Sequence, residues 1–372
     1  FRNDAVLRAL EQYTGREVIR APYPGIMGAI GAALITKERF EQNHPAKTFI
    51  GIDGVADFSY TQEANAPCPF CANHCKRTIV RFSNGNSWVT NNRCERGEIL
   101  GDPKDASVRQ QLADAKKSRE QTPNLFKLRQ ELLFKDYPYP KADKERDITI
   151  GLPRVLSYWE TMPFWNTFFR ALGYQVRISD KSTRKIYESG LSAVTSDTVC
   201  FPAKLVHGHI RNLAEHHVDR IFMPTITTVS SENPASTSES MCAIVKGYPI
   251  VIRNSDNPEK RWNIPYDAPL FHWYRTEDRN RQLTAYMKDT FEIDPSICLK
   301  AIEAADQAQS SFEQALKKAG QKVMEQVEAN NTYAIVLASR PYQNDSLVNH
   351  ALPKMFTSMG IPVLTADSVP GV

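Results

Sequence analysis

The 372-residue sequence predicts an α/β protein with open, mostly parallel, doubly wound sheets, and three observations carry that expectation. From Asp147 onward, short apolar strand-like runs alternate with helical stretches. Gly151-Leu-Pro-Arg154 followed by Phe168-Phe-Arg-Ala-Leu-Gly173-Tyr-Gln-Val176 is echoed by Ala338-Ser-Arg340-Pro341 and Met355-Phe-Thr-Ser-Met-Gly360-Ile-Pro-Val363, with Arg154 and Pro341 standing 187 positions apart, as do Gly173 and Gly360. Such a repeat implies two similar βαβ units with a cleft between them, the second incomplete when the chain stops. Four of the seven cysteines crowd into residues 68–94, so a small four-cysteine β-hairpin module precedes the sheets.

Residues 1–36 read as a helix with Val6, Leu7, Leu10 and Tyr13 on one face, a short strand from Glu17 to Arg20, and a thin Gly-rich helix from Gly25 to Thr36. Residues 37–105 form a connector and the cysteine module. The connector lacks helical periodicity, carries an apolar patch at Phe49 to Ile52, and offers a strand from Phe58 to Thr61. The hairpin follows from Thr78-Ile79-Val80-Arg81-Phe82 and Ser87-Trp88-Val89-Thr90 flanking Asn84-Gly85, a pair that reaches the positive φ values of a tight turn.

Residues 106–146 are a helical linker, broken near Pro123 because proline lacks a donor and clashes with the preceding turn. Residues 147–332 make the first α/β domain, with strands expected at Ile148–Leu152, Gln175–Ile178, Arg220–Met223 and Ile250–Ile252. Its last element is one long helix from Asp294 to Asn330, capped by Asp294 and opened by Pro295. Residues 333–372 begin the second unit, with strands at Tyr333–Ala338 and Ile361–Leu364.

Composition narrows the function classes. A net charge of +4, with no basic stripe interleaved with aromatics, speaks against nucleic acid. No apolar run is long enough to span a bilayer. An odd number of cysteines, gathered mainly in one knuckle, points to a reducing cytoplasm rather than a disulfide framework. Phe1 is not an initiator methionine, and a fragment of a longer parent chain is expected.

Two thiolates separated by two residues can turn inward on one loop. Cys68 and Cys71 do this, Cys75 follows, and the hairpin returns Cys94 as a fourth ligand. Four thiolates suit zinc or a [4Fe–4S] cluster, and spacing alone leaves both open. Further along, Cys200 stands at the mouth of a helix beginning near Pro202, where amide dipoles favour a thiolate and Lys204 adds positive charge. Cys242, after the polar loop from Ser230 to Ser240, should sit at the same sheet edge, so the two cysteines could share a cluster. Lys204 and His207 are the candidates for lining such a cofactor; His207 and His209 point to different helix faces and make a poor metal pair. Cys298 reads as structural, and no catalytic residue is assigned.

Two stretches carry a resemblance. Phe1 to Val6 through Pro24 to Ala33 resembles the C-terminal tail of the actin-like ATPase domain found in activators of 2-hydroxyacyl-CoA dehydratases and benzoyl-CoA reductases. Gly151-Leu-Pro-Arg154, Pro163-Phe-Trp165, Cys200-Phe-Pro202-Ala-Lys204, His207-Gly-His209 and Phe222-Met-Pro224 resemble the domain that follows the ATPase modules in large fused activators. That domain is similar in turn to the cluster-bearing subunits of those enzymes and of double-cubane cluster proteins. The resemblance implies three cysteines per cluster, of which Cys200 and Cys242 match two places, and the third has no clear counterpart before Val372. It implies an iron–sulfur redox component driven by an upstream ATPase domain of the same parent chain and delivering electrons to an acyl-CoA dehydratase or reductase. It also favours a [4Fe–4S] cluster over zinc at Cys68, Cys71, Cys75 and Cys94. A homodimer is one assembly left open. Two other readings stand beside it: a zinc-stabilised docking scaffold, and a 2-hydroxyacyl-CoA dehydratase-like enzyme.

Overall fold

The computed structural model describes residues 4–23, 25–43, 51–71, 74–92, 95–196, 198–229 and 240–371. Cys94, the patch residues Phe49 and Ile50, and residues 230–239 of the polar loop lie outside them. Two units emerge, residues 1–66 with 77–91 and residues 67–76 with 92–372.

Helices α1 (Asp4–Thr14), α2 (Met27–Asn43) and α3 (Gly51–Ala56) lead to β1 (Tyr60–Pro67), β2 (Lys76–Phe82) and β3 (Ser87–Thr90), neighbours in that order in one sheet. The expected hairpin is present. Ile79 opposes Val89, Val80 opposes Trp88, and Gly85 turns the chain at φ +85°. The apolar face read for α1 is exposed at Val6, Leu10 and Tyr13, and α1 buries no side chain. Helix α2 runs past the expected end at Thr36, because Lys37-Glu-Arg39 and Glu41-Gln42 are strong helix formers that leave no apolar period to read. No strand forms at Glu17–Arg20.

The second unit opens with α4 (Ala106–Gln121) and α5 (Leu125–Leu133), parted at Pro123 as expected; Asn124 caps α5 by accepting the Lys127 N–H at 3.1 Å. Next come β4 (Thr149–Leu152), α6 (Tyr158–Ala171), β5 (Gln175–Ile178), α7 (Arg184–Gly190), α8 (Phe201–Glu215), β6 (Arg220–Phe222) and β7 (Thr225–Val229). They are followed by α9 (Ala243–Ser255), α10 (Pro258–Trp262), β8 (Tyr266–Asp267), β9 (Leu270–Trp273), α11 (Thr276–Phe291) and α12 (Pro295–Ala329). A four-stranded parallel sheet runs β5-β4-β6-β8, and β7 pairs parallel with β9. Pro224 and Pro269 interrupt both partners at the same level, where each removes a ladder donor. Bonds from Met223 N–H to Asp267 O (2.8 Å) and Thr225 N–H to Pro269 O (2.7 Å) carry the pairing across the break.

Ile250–Ile252, expected as a strand, lies inside α9. Its β-branched run suggests a strand, yet Val245, Tyr248, Pro249 and Ile252 recur at helical spacing and form the buried face. The short strands β8 and β9 carried too little alternation to be read from sequence.

The second half of the repeat is also parallel. β10 (Ile335–Leu337) pairs with β11 (Val363–Thr365) after α13 (Leu352–Ser358), with Ile335 opposite Val363. Gly173 and Gly360 both take left-handed φ, +86° and +75°, ending equivalent helices. An added Cβ at Gly173 would lie 2.1 Å from the Lys144 carbonyl oxygen, so that site excludes a side chain twice over.

Helix α12, about 50 Å long at 1.5 Å per residue, starts from Asp294, whose carboxylate accepts the Ser296 N–H at 2.8 Å. It packs along α6, burying Cys298, Ile302, Ala305, Phe312 and Leu316. Cys298 is structural in character: it is fully buried, and that burial pushes its thiol up to about 11. Trp165 of α6 sits at the centre of the core among Phe164, Phe169, Phe222, Phe271 and Trp273.

Candidate functional site

The parallel sheet determines where a site can form. The chain leaves β4 for β5 on one side and returns to β6 on the other, so the strand order reverses between β4 and β6. Open α/β sheets bind ligands beyond the strand carboxyl ends at such a reversal. A cavity of about 170 Å³ lies there, lined by Leu156 and Ser157 after β4, Val229 at the end of β7, and Cys242. Glu160 of α6 and the Arg340–Tyr342 segment after β10 also line it.

Cys242 caps the N-terminus of α9. Burial works against its thiolate, but the amides of Val245 and Ile244 and the charges of Arg340 and Lys246 outweigh it, so its pKa is lowered. Cys200 occupies the N-cap position of α8, with extended backbone (φ −64°, ψ 154°) and its carbonyl accepting the Ala203 and Lys204 N–H groups. It is exposed, and it arises from a helix-to-helix connection after α7 rather than directly from a strand. Tyr342, on the cavity wall with Cys242, has its pKa raised. Burial raises that phenol, Arg340 opposes the rise, and Cys242 and Cys200 both add to it. Lys204 is half-buried in the first turn of α8.

His207 and His209 diverge as their spacing requires. His207 is fully buried, with Nδ1 2.8 Å from Asp256 Oδ2 and Nε2 3.1 Å from the Tyr248 hydroxyl. Asp256 is itself buried, and its other oxygen lies 2.7 Å from Arg261 Nε. The imidazole therefore joins α8, which begins at Cys200, to Tyr248 of α9, which begins at Cys242. Burial, with Cys200 and Asp256 adding, pushes Tyr248 up to about 12. It does not face the cavity as a cofactor ligand would; it ties together the helices that carry the two thiols.

His209 faces the loops after β5. Its Nδ1 is 2.8 Å from Ser179 Oγ and its Nε2 is 3.0 Å from Ser182 Oγ, while Ser182 donates to buried Asp345. Burial pushes His209 down to about 3, with Arg154 assisting and Asp180 opposing. A folded pKa below the unfolded value of about 6.5 means that the unfolded chain binds more protons across that interval. Stability from this group is present above about pH 6.5 and falls as pH drops toward about 3, by at most about 1.4 kcal/mol per unit. Asp345, raised by burial, titrates in the opposite sense. The expected result is therefore a difference: between pH 6.5 and 4, His209→Gln loses less stability than the native chain in denaturant titrations.

In the cysteine module, the Cys68 N–H donates to the Cys75 carbonyl at 2.9 Å and the His74 N–H to the Cys71 carbonyl at 3.3 Å, closing the knuckle. Cys68 is buried, and Cys71 and Cys75 are half-buried. Among the described residues no three His, Cys, Asp or Glu side chains gather as a metal-holding set, and Cys94 lies outside those residues. The six described cysteines are free thiols. No described helix is long and apolar enough to cross a membrane.

Sequence reasoning did not reach Tyr248, Asp256, Tyr342 or Asp345. The repeat that aligned Pro341 with Arg154 was the available signal for the Arg340–Asp345 segment, since it marked a strand end equivalent to the end of β4.

A search of curated proteins found no match to this chain, and neither did a search of solved structures. Residues 149–369 match the family model described as the CoA enzyme activase uncharacterised domain, and the chain belongs to that family.

Proposed function

We propose that this CoA enzyme activase chain is an iron–sulfur redox component that reductively activates an acyl-CoA dehydratase or reductase, driven by an ATPase domain elsewhere in its parent chain. The observation that carries the reading is the pair of thiols, Cys200 and Cys242, each at the N-cap position of a helix, with Cys242 on the wall of the cavity at the sheet's carboxyl edge. Their chemistry fits two ligand positions of a thiolate-held cluster. Cys200 and Cys242 would hold it, and bound there it would supply one-electron transfer. The Ile244 and Val245 amides and Arg340 favour anionic sulfur at Cys242. Tyr248, His207 and Asp256 keep water from the space between α8 and α9 and hold those helices in register. Cys68, Cys71, Cys75 and Cys94 form the second proposed metal site, for a [4Fe–4S] cluster or zinc.

Iron, sulfide and zinc analysis of anaerobically purified protein tests this. The expected result is brown protein with bound iron and sulfide, of which the Cys200→Ala/Cys242→Ala double variant loses a distinct fraction. Iron content unchanged in that variant would remove Cys200 and Cys242 from the assignment. Colourless protein with one zinc would favour the docking scaffold, and acyl-CoA turnover without any added partner would favour an enzyme.

A further inference from the structure

We infer that His209 is a positioning residue: through Ser182 and Asp345 it latches the Arg340–Asp345 segment as a cover over Cys242. The argument starts from hydrogen-bond direction. The Arg154 backbone N–H can only donate, and it reaches Ser179 Oγ at 2.8 Å. A serine oxygen can accept twice, so the direction is set from the far end. The Asp345 carboxylate takes the Ser182 proton, Ser182 Oγ therefore accepts from His209 Nε2–H, and Nδ1 of the neutral imidazole is left to accept from the Ser179 hydroxyl. Every member has one role, so the chain runs one way, from the loop after β4 through α8 to the segment after β10.

The far end bears on the thiol. Asp345 also accepts the Leu347 N–H at 2.8 Å, so its carboxyl organises the turn that follows the cover. Arg340, Pro341 and Tyr342 stand on the wall of the 170 Å³ cavity with Cys242. A second tie, from the Gln130 amide to the Asn344 carbonyl at 2.5 Å, holds the residue beside Asp345 to α5. Releasing Ser182 from Asp345 removes one of these two ties and so loosens the Arg340–Asp345 segment, leaving α8 and its Cys200 cap packed.

Alkylation of the metal-free 372-residue chain by a maleimide, followed by peptide mapping, reads this directly. The inference concerns the cavity of the proposed cluster site but needs no cluster, so failed metal uptake and a failed latch are separate results. In Ser182→Ala, Cys242 is expected to react about tenfold faster, the scale of one lost hydrogen bond to a charged group, while Cys200 stays within about twofold. His209→Gln keeps a donor near the Nε2 position and is expected to restore most of the native rate. His209→Asn, too short to reach Ser182, is expected to behave like Ser182→Ala. An unchanged Cys242 rate in Ser182→Ala overturns the latch. Cys200 and Cys242 accelerating together also overturns it, since that is general loosening of α8.

Discussion

Trp165→Ala should lower the denaturant midpoint of the second unit by the equivalent of about 3–5 kcal/mol with little change in slope. The indole is fully buried, with ring centroids 4.9 Å from Phe222, 5.1 Å from Phe164 and 5.2 Å from Trp273. Three elements supply those neighbours, so no single one can move in to fill the hole, and the cavity cost adds to the lost transfer energy. The indole N–H has no acceptor despite being buried. Trp165→Phe removes that unmet donor along with some volume, and should therefore cost much less than alanine. Equal losses in the two variants, or an alanine loss below about 1 kcal/mol, would show that the surrounding rings collapse freely.

Asp256→Ala should be the most costly polar change, at about 3 kcal/mol. It strips the acceptor from His207 Nδ1 in a place with no access to water and leaves Arg261 without its 2.7 Å partner. Asp256→Asn keeps an oxygen for the imidazole N–H and should lose less than half as much. Urea titrations of both variants check this. Matching losses would mean that His207 takes nothing from that carboxylate beyond its volume. Because His207 also holds Tyr248, amide exchange in α8 and the first half of α9 should quicken in the alanine variant.

Much of the fold was legible in residues that act locally. Asn84-Gly85 makes its turn wherever the flanking strands pair, Pro123 ends a helix regardless of neighbours, and Asp294-Pro295 starts one. The repeat was legible because it rests on the strand-ending motifs and on Gly173 and Gly360, whose left-handed backbone favours glycine. Ile250–Ile252 was misread because β-branched residues weighed against a buried helical stripe that only becomes decisive once α9 has something to pack on.

The site divides the same way. Cys200 could be placed at a helix mouth from sequence, since a cap depends on the residues just after it, whereas the helix that Cys242 opens was hidden by the strand-like Ile250–Ile252. The meeting of Cys242 with the Arg340–Tyr342 segment, and the roles of His207 and His209, could not be placed, because they rest on contacts between distant segments such as Ser182 with Asp345, 163 positions apart. The sequence by itself determined the α/β class, the hairpin, the long helix and the place of Cys200 at a helix mouth, all products of short-range sterics and periodicity. Only the tertiary structure decided which loops meet at the carboxyl edge of the sheet and which histidine holds which helix, because side-chain hydrogen bonds between distant segments exist only after the strands have been ordered.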